Sequence, residues 1–313
     1  MKFDSAITAT LVAVRDRVAR PSRPMPLAST DRLDGVDALV TGATGGLGAP
    51  IATKLASRGA RVICSARSSA SALVAQIESR GGRAVDRPVD LADLASIDKL
   101  VDSIEQPLGL VVLCAGIVPG RSRPTAQGFD VMIGVNYLAS AYLVDRLRAG
   151  GRLERGRIVV VASESHRSAE HIDIGGLGVA DEYGMGGVMK RYGYSKALLC
   201  AWAQEASRRF RGSVAVHTIC PGPVDSKITR EAPSWAQALL GPTMKAFFAP
   251  ADVAAEPVVY LACSRALEAR TGIYLHRWVE KPPSGLVRDE AVAKRLYDAT
   301  YALLSERRGE ARE

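Results

Sequence analysis

A glycine-rich run between an apolar segment and a helical pattern constrains the fold of this chain most. Val36–Val40 is typical of a short buried strand, and apolar residues from Ile51 to Ala56 recur at helical spacing. The run Thr41–Gly48 between them contains four glycines. Glycine lets the backbone take positive φ and approach a ligand, and the N-terminus of the following helix offers N–H groups to a phosphate. The pattern predicts a strand–turn–helix unit that binds a phosphate; a tight turn without a ligand is the alternative.

Further strand-like runs alternate with helical patterns along the chain. They occur at residues 61–67, 83–89 and 108–113. Such alternation predicts an α/β fold built on one doubly wound parallel sheet with helices on both faces. The 313 residues are enough for one large domain with a full core.

Arg67 follows the second predicted strand, about twenty residues past the glycines, where dinucleotide-binding units often carry an acid. That acid would bind a free ribose 2′-hydroxyl, whereas a guanidinium pairs with a 2′-phosphate through charge-assisted hydrogen bonds. The position therefore favours NADP(H) over NAD(H). An ordinary exposed loop charge is the alternative.

Two other strand ends carry residues that suit a nucleotide. Asp90-Leu91 follows the third predicted strand, and Asp90 could accept from an adenine amino group or cap the helix that begins near Asp93. Ala115-Gly116 follows the fourth predicted strand, and such small residues leave room for a flat ring and a ribose.

Tyr192 and Lys196 are four residues apart in a helical pattern, so they lie one turn apart on the same face. A nearby ammonium stabilises a phenolate and lowers the tyrosine pKa by about one to three units from about 10. The pair is therefore a candidate general acid and base for a proton on a substrate oxygen.

These features, in this order, resemble the short-chain dehydrogenase/reductase family. The resemblance covers about residues 34–280 and is closest to retinol-dehydrogenase-like and WW-domain-oxidoreductase-like members, without a preceding WW domain. One departure is Leu113-Cys114 before Ala115-Gly116, where the family usually has two asparagines. The matching residues are Thr41 to Gly48, Asp90-Leu91, Ala115-Gly116, Asn136, Ser163, Tyr192 with Lys196, and Pro221-Gly222.

The resemblance implies a Rossmann-type fold and hydride transfer between a nicotinamide and a hydrophobic carbonyl or alcohol of retinoid, steroid or polyketide type. It implies that Tyr192 exchanges the proton, and that Lys196 lowers the Tyr192 pKa and binds the nicotinamide ribose. It also implies that Ser163 orients the substrate oxygen and that Asn136 holds a water of a proton path. The implied cofactor-binding residues are Thr41, Gly42, Thr44, Gly46, Leu47, Gly48, Arg67, Asp90, Leu91, Ala115, Gly116, Tyr192, Lys196, Pro221, Gly222 and Val224.

Other function classes stay open beside this one. A catalytically silent NADP(H)-binding sensor or scaffold is the main alternative, although it would have no chemical need for all four predicted catalytic residues. An epimerase or dehydratase acting on a nucleotide sugar is a further alternative. His166 and His171 lack metal-ligand spacing and Ser163 lacks a Gly-x-Ser-x-Gly elbow, so neither a metal site nor a hydrolase is predicted. His166 is predicted to be a loop residue near the mouth of the active site.

Composition limits the compartment and the classes of partner that are expected for this chain. The five cysteines are odd in number and have no pattern, which predicts reduced, buried thiols in a cytoplasmic protein. The net charge of +8 is interpreted as solvated helix surface, with attraction to an anionic cofactor or membrane as the alternative. No basic patch is interleaved with aromatic residues, so nucleic acid is not an expected partner.

The domain layout places an amphipathic helix and a proline-rich linker in residues 1–33, the dehydrogenase domain in 34–280, and a C-terminal helical extension of that domain in 281–313. The N-terminal helix is expected to pack on the domain or on a partner in a homodimer. Weak contact of residues 1–20 with a membrane surface is the alternative. The substrate pocket is assigned to residues 164–191 and 225–248; the second stretch contains Trp235, Leu239, Leu240, Met244, Phe247 and Phe248.

Overall fold

The computed structural model describes residues 25–180, 182–184, 186–224 and 249–310. The predicted amphipathic helix and the apolar stretch 225–248 lie outside these described residues.

Strands and helices alternate along the described chain, as the sequence predicts. The first half comprises β1 (Asp37–Thr41), α1 (Gly48–Ser57), β2 (Arg61–Ser65), α2 (Ser71–Glu78), β3 (Arg83–Asp86), α3 (Leu94–Asp102), β4 (Leu110–Leu113), α4 (Val131–Ile133), a π-helical turn (Gly134–Leu138) and α5 (Ala139–Ala149). The second half comprises β5 (Gly156–Val161), a 3-10 turn (Glu164–Ser168), α6 (Val188–Arg209), β6 (Val214–Cys220), α7 (Ala251–Cys263), a 3-10 turn (Arg265–Leu267), β7 (Tyr274–His276), β8 (Val279–Glu280), α8 (Gly285–Arg288) and α9 (Glu290–Glu310).

The strands form one eight-stranded sheet in the order β3-β2-β1-β4-β5-β6-β7-β8. Strands β1 to β7 are parallel, and β8 pairs antiparallel with β7. The strand order reverses between β1 and β4, so the crevice where open α/β sheets bind ligands lies at the carboxyl ends of these two strands. This topology confirms the predicted doubly wound fold.

The sheet is buried on both faces because helices cover both sides. Along β1, Leu39 faces a core built with α3, α5, α6 and α9, whereas Ala38 and Val40 face a second core built with α1, α2 and α7. Successive strand residues point to opposite faces, so a strand covered on both sides is apolar throughout. This is why the strands appear in the sequence as continuous apolar runs.

Several elements differ from their predicted bounds: β2 ends at Ser65 rather than at residue 67, and β4 begins at Leu110 rather than at residue 108. Strand β3 ends at Asp86, although the prediction extended to residue 89; beyond it Arg87 N and Val89 N still donate to Cys64 O and Ala66 O. The C-terminal extension is two helices, since the backbone of Asp289 is extended between them. The Asp289 carboxylate accepts from Val292 N at 3.0 Å, which caps the start of α9.

The five cysteines are free thiols in the structure; four are buried as predicted, whereas Cys114 is half-buried. Within the described ranges, no helix is both long and apolar enough to cross a membrane.

Candidate active site

The glycine-rich turn lies against the end of β4, and two of its glycines leave no space for a side chain. Gly42 has a φ of +68°, and a Cβ there would lie 2.9 Å from Ala115 Cα. A Cβ on Gly48 would lie 2.1 Å from the Gly42 carbonyl oxygen. Helix α1 begins at Gly48 without a side-chain cap. The turn is therefore a backbone cradle at an uncapped helix N-terminus, which suits a phosphate.

Thr41 joins β1 to β4 at the floor of this cradle. Its buried hydroxyl accepts from Cys114 N at 3.1 Å and from Ala115 N at 3.2 Å. These bonds fix the backbone where the family usually has two asparagines and this chain has Leu113-Cys114. Thr41 thus supports the predicted cofactor site through the backbone of the neighbouring strand.

Three polar side chains stand at the carboxyl end of β2 and on the glycine turn. Arg67 is exposed immediately after β2, and Thr44 lies on the exposed part of the turn. The hydroxyls of Thr44 and Ser68 are 3.4 Å apart. A guanidinium with neighbouring hydroxyls suits a phosphate oxygen, so the residues present fit the 2′-phosphate that distinguishes NADP(H) from NAD(H).

Asp90 does not cap the helix that follows β3. The N-cap of α3 is Asp93, whose carboxylate accepts from Ala95 N at 3.0 Å. Asp90 is exposed and accepts from Ala92 N at 2.9 Å, and the neighbouring Leu91 packs partly against the core. Of the two alternatives for Asp90, the structure therefore excludes capping of α3.

Asn136 and Lys196 meet in the interior beside Gly116. Asn136 is fully buried in the π-helical turn, donates to Ile117 O at 3.0 Å and Ser195 Oγ at 3.1 Å, and accepts from Ile117 N at 2.7 Å. Lys196 is 3% exposed, and its Nζ donates to Val161 O at 3.1 Å. A Cβ on Gly116 would lie 3.5 Å from both Asn136 Oδ1 and Lys196 Nζ. Burial lowers the pKa of Lys196.

Ser163 and Tyr192 are brought together where α6 packs on the 3-10 turn, since a Cβ on Gly193, next to Tyr192, would lie 2.7 Å from Ser165 O. Ser163 follows β5 in an extended conformation and is the N-cap of the 3-10 turn. Its hydroxyl accepts from Ser165 Oγ at 2.8 Å and from Ser165 N at 3.2 Å. The Tyr192 ring centroid lies 5.8 Å from Lys196 Nζ. The structure therefore brings all four residues that the sequence predicts as catalytic to the carboxyl edge of the sheet.

The pKa of Tyr192 moves in the opposite direction to the one expected from the Tyr–Lys spacing. Burial raises the pKa of the phenol above its ordinary value, while Ser163 acts to lower it. The net shift is therefore upward, whereas the Tyr–Lys spacing alone predicts a lowered pKa. The Lys196 Nζ is itself bonded to the Val161 carbonyl.

The remaining predicted cofactor residues follow β6. Pro221 is buried, and Gly222 has a φ of +86°, a conformation that glycine adopts readily. Val224 forms an isolated parallel bridge with Ala249. This segment leaves the same sheet edge as Ser163, and the ends of β4 and β5 lie between it and the glycine turn.

His166 does not lie at the mouth of the active site, where it was predicted. Its side chain is 0% exposed in the 3-10 turn, and both ring nitrogens are hydrogen-bonded. The neighbouring Glu164 is the centre of an ion-pair network that the sequence does not reveal. The only sequence signal for either residue is its position directly after Ser163.

Comparison with known proteins places this geometry in a family. Residues 37–171 match the family model described as short chain dehydrogenase. Retinol dehydrogenase 13 of Mus musculus is 30% identical over 315 residues, which cover 94% of this chain and 90% of that protein. The WW domain-containing oxidoreductase of Drosophila melanogaster is 28% identical, over 96% of this chain and 76% of that protein. Both relatives are of the types that the sequence features resemble.

Solved structures share the fold. A short chain dehydrogenase from Burkholderia cenocepacia J2315, crystallised with NADP, has a TM-score of 0.61 and 29% identity over 78% of this chain and 97% of that chain. An uncharacterised protein from Mycobacterium paratuberculosis has a TM-score of 0.71 over 90% of this chain and 97% of that chain; at 23% identity it supports the fold alone. The protein described here belongs to the short-chain dehydrogenase family.

Proposed function

We propose that this chain is an NADP(H)-dependent oxidoreductase that acts on a hydrophobic carbonyl or alcohol of retinoid, steroid or polyketide type, with Tyr192 as its general acid and base. The observation that carries the proposal is the convergence of Ser163, Tyr192, Lys196 and Asn136 beside the glycine cradle.

NADP(H) agrees with the NADP bound in the related Burkholderia structure and with the residues of this chain. The turn from Gly42 to Gly48 would hold the pyrophosphate, Arg67 the 2′-phosphate, and Asp90 the adenine. The segment from Pro221 to Val224 would close over the nicotinamide. When bound, the nicotinamide supplies or takes up the hydride at the substrate carbon.

Ser163 and Tyr192 would manage the substrate oxygen. The Ser163 hydroxyl accepts two bonds from Ser165, so its own proton is directed away from Ser165. A phenol ordinarily keeps its proton up to a pKa of about 10, so Tyr192 would have a proton to give to the developing alkoxide during carbonyl reduction. In alcohol oxidation the same oxygen would take the proton back.

Lys196 and Asn136 would support this proton transfer from the interior. A buried ammonium favours the phenolate that forms as Tyr192 gives up its proton. The Asn136 amide is fixed by the Ile117 backbone on one side and by Ser195 on the other. Because these bonds hold the amide rigidly, Asn136 can keep a proton path ordered beside Lys196.

Two observations support an apolar substrate. Val179 and Met189 are large apolar side chains that are 54% and 43% exposed, in the loop after Ser163 and at the start of α6. Exposed apolar residues beside a site indicate an apolar ligand. In addition, similar proteins are called retinol dehydrogenase 13 and polyprenol dehydrogenase, the latter 32% identical over 83% of this chain.

The alternative is an NADP(H)-binding sensor or scaffold without turnover. It is disfavoured because Lys196 and Asn136 are buried polar groups, whose desolvation is costly and which a binding protein could replace with apolar residues.

NADPH oxidation with a panel of retinoid, steroid and aliphatic carbonyls tests the proposal on the wild type, Tyr192→Phe and Tyr260→Phe. Tyr260 is a half-buried tyrosine on α7, outside the site, and serves as the matched control. We expect turnover by the wild type and the control, and kcat reduced by about a hundredfold to ten-thousandfold in Tyr192→Phe with NADPH affinity kept. Tight NADPH binding without turnover by any of the three proteins would favour the sensor.

A further inference from the structure

His166 holds the backbone of the proposed catalytic serine. Its Nδ1 lies 2.8 Å from the Ser163 carbonyl oxygen, which also accepts from His166 N at 3.1 Å. On the opposite side of the ring, Nε2 accepts from Ser284 N at 3.1 Å. Because Nε2 is an acceptor, the proton of the neutral imidazole must be on Nδ1, where it is donated to Ser163. His166 is therefore a bridge with one defined tautomer between Ser163 and Ser284.

Glu164 makes a second set of bonds to the same distant segment. Its carboxylate accepts from the Tyr274 hydroxyl and from Lys281 Nζ, both at 2.6 Å. Lys281 also lies 2.9 Å from His276 Nδ1. The Glu164 side chain is only 17% exposed, so water competes weakly for these bonds.

Arg167 adds a third connection. It donates to Glu164 Oε2 at 3.0 Å and to Pro282 O at 2.7 Å. The Tyr274 ring also stands edge-on to the His166 ring, with centroids 5.3 Å apart. The 3-10 turn that begins at Ser163 is thus joined on several sides to residues 274–284.

We propose that the segment Tyr274–Ser284 is a positioning element for Ser163, acting through His166 and Glu164. The inference rests on the proposed function. The turn after Ser163 leaves the sheet edge, where loops are otherwise mobile. The bonds from His166 and Glu164 hold the Ser163 backbone in one orientation before substrate arrives. Such preorganisation matters because a small displacement of a group that orients substrate reduces the rate strongly.

A role limited to folding makes a different prediction. In that case, variants of the network would unfold at lower temperature, but the folded fraction would turn over at the wild-type rate. Positioning of Ser163 instead predicts a loss in kcat per folded molecule, with NADPH affinity unchanged because the glycine cradle lies on other strands.

The first test compares His166→Ala, His166→Gln, Tyr274→Phe and the control Tyr260→Phe, with the folded fraction measured for each. For His166→Ala we expect kcat per folded molecule to fall by about tenfold to a hundredfold. His166→Gln keeps one donor and one acceptor and should recover part of the loss. Tyr274→Phe should lower kcat more than Tyr260→Phe does. Unchanged kcat in folded His166→Ala, with an active wild type, would overturn the positioning role and leave the proposed function standing.

The second test does not depend on turnover. Nitrogen-15 NMR of the histidine ring in the full chain reports which nitrogen carries the proton. The structure predicts the Nδ1–H tautomer for His166, with its signals assigned by their loss in His166→Gln. An Nε2–H tautomer or a charged ring at neutral pH would contradict the bridge. If the wild type turns over no carbonyl, the proposed function fails and the positioning role fails with it.

Discussion

The two halves of the carboxyl edge of the sheet differ in the interactions that hold their backbone in place. On the β1–β4 half, the turn packs closely only because Gly42 and Gly48 have no side chain; the surrounding backbone leaves no room for a Cβ at either position. On the β5–β7 half, the fit depends on buried polar side chains bonded to the segment Tyr274–Ser284, as His166 is to Ser284 and Glu164 is to Lys281. The first half should therefore be sensitive to added volume, and the second to lost polar atoms or altered charge.

Gly48→Ala should have the largest effect, and it tests the first half. Its Cβ would lie 2.1 Å from the Gly42 carbonyl oxygen, so the turn must shift. We expect NADPH binding to be lost and the free energy of unfolding to fall by about 1–3 kcal/mol. Fluorescence titration with NADPH and urea unfolding measure the two quantities.

Gly285→Ala is the matched control, because Gly285 also begins a helix and a Cβ there would meet no atom within 4 Å. Wild-type NADPH affinity in Gly48→Ala would contradict the cradle.

His166→Gln tests the second half through pH. The pKa of His166 is lowered from 6.5 to about 4 by burial. As pH falls, the unfolded chain takes up this proton before the folded chain does, so the wild type loses stability between about pH 6.5 and pH 4. The variant should lack this loss, which is about 3 kcal/mol for a shift of this size.

Urea unfolding of both proteins at a series of pH values measures the difference. His217 is also buried with a pKa lowered to about 3, but it is present in both proteins and cancels. Parallel stability curves for wild type and variant would show that burial does not keep His166 neutral.

Arg67→Ala tests whether an exposed side chain on the first half selects the cofactor. We expect NADPH affinity to fall by about tenfold to a hundredfold, since charge-assisted hydrogen bonds to the 2′-phosphate are lost. Affinity for NADH, which has no such phosphate, should be unchanged. Arg80→Ala, at another exposed arginine near the end of α2, is the control. An equal loss of affinity for NADPH and for NADH would show that Arg67 attracts both cofactors by its charge and does not select the 2′-phosphate.

Asp93→Ala should have the smallest effect and should leave both halves intact. Loss of the N-cap of α3 should lower the free energy of unfolding by about 1 kcal/mol. NADPH affinity should not change, whereas Asp90→Ala should weaken NADPH binding without a comparable loss of stability. A larger loss of stability in Asp90→Ala than in Asp93→Ala, with NADPH affinity kept, would instead assign the capping role to Asp90.

Most of the fold and the main site residues could be predicted because their signals are local. The strand before Thr41, the glycines and the helix after Gly48 are contiguous, and Tyr192 and Lys196 are one helical turn apart. The strand bounds were less accurate, since β3 ends three residues and β2 two residues before the predicted ends. Whether Asp90 caps α3 depended on backbone geometry, which its place in the sequence does not specify.

The rest could not be predicted because it depends on contacts between distant residues. Glu164 meets Lys281 across 117 positions, with no periodicity to signal the pair. His166 is buried by the same segment, so its exposure could not be judged from its neighbours. The pKa of Tyr192 likewise follows from burial by the folded chain, whereas the spacing of Tyr192 and Lys196 indicated only the opposing charge effect.

The distance in sequence between Ser163 and its supporting segment has a consequence for chain synthesis. A ribosome completes the glycine turn and β4 when little more than a third of the chain has emerged, whereas the partner of His166 is 118 positions further along than His166 itself. Domains begin to fold from the N-terminus during synthesis. A nascent chain can therefore contain the nucleotide cradle well before Ser163 is held in place, so translation itself orders the two halves in time.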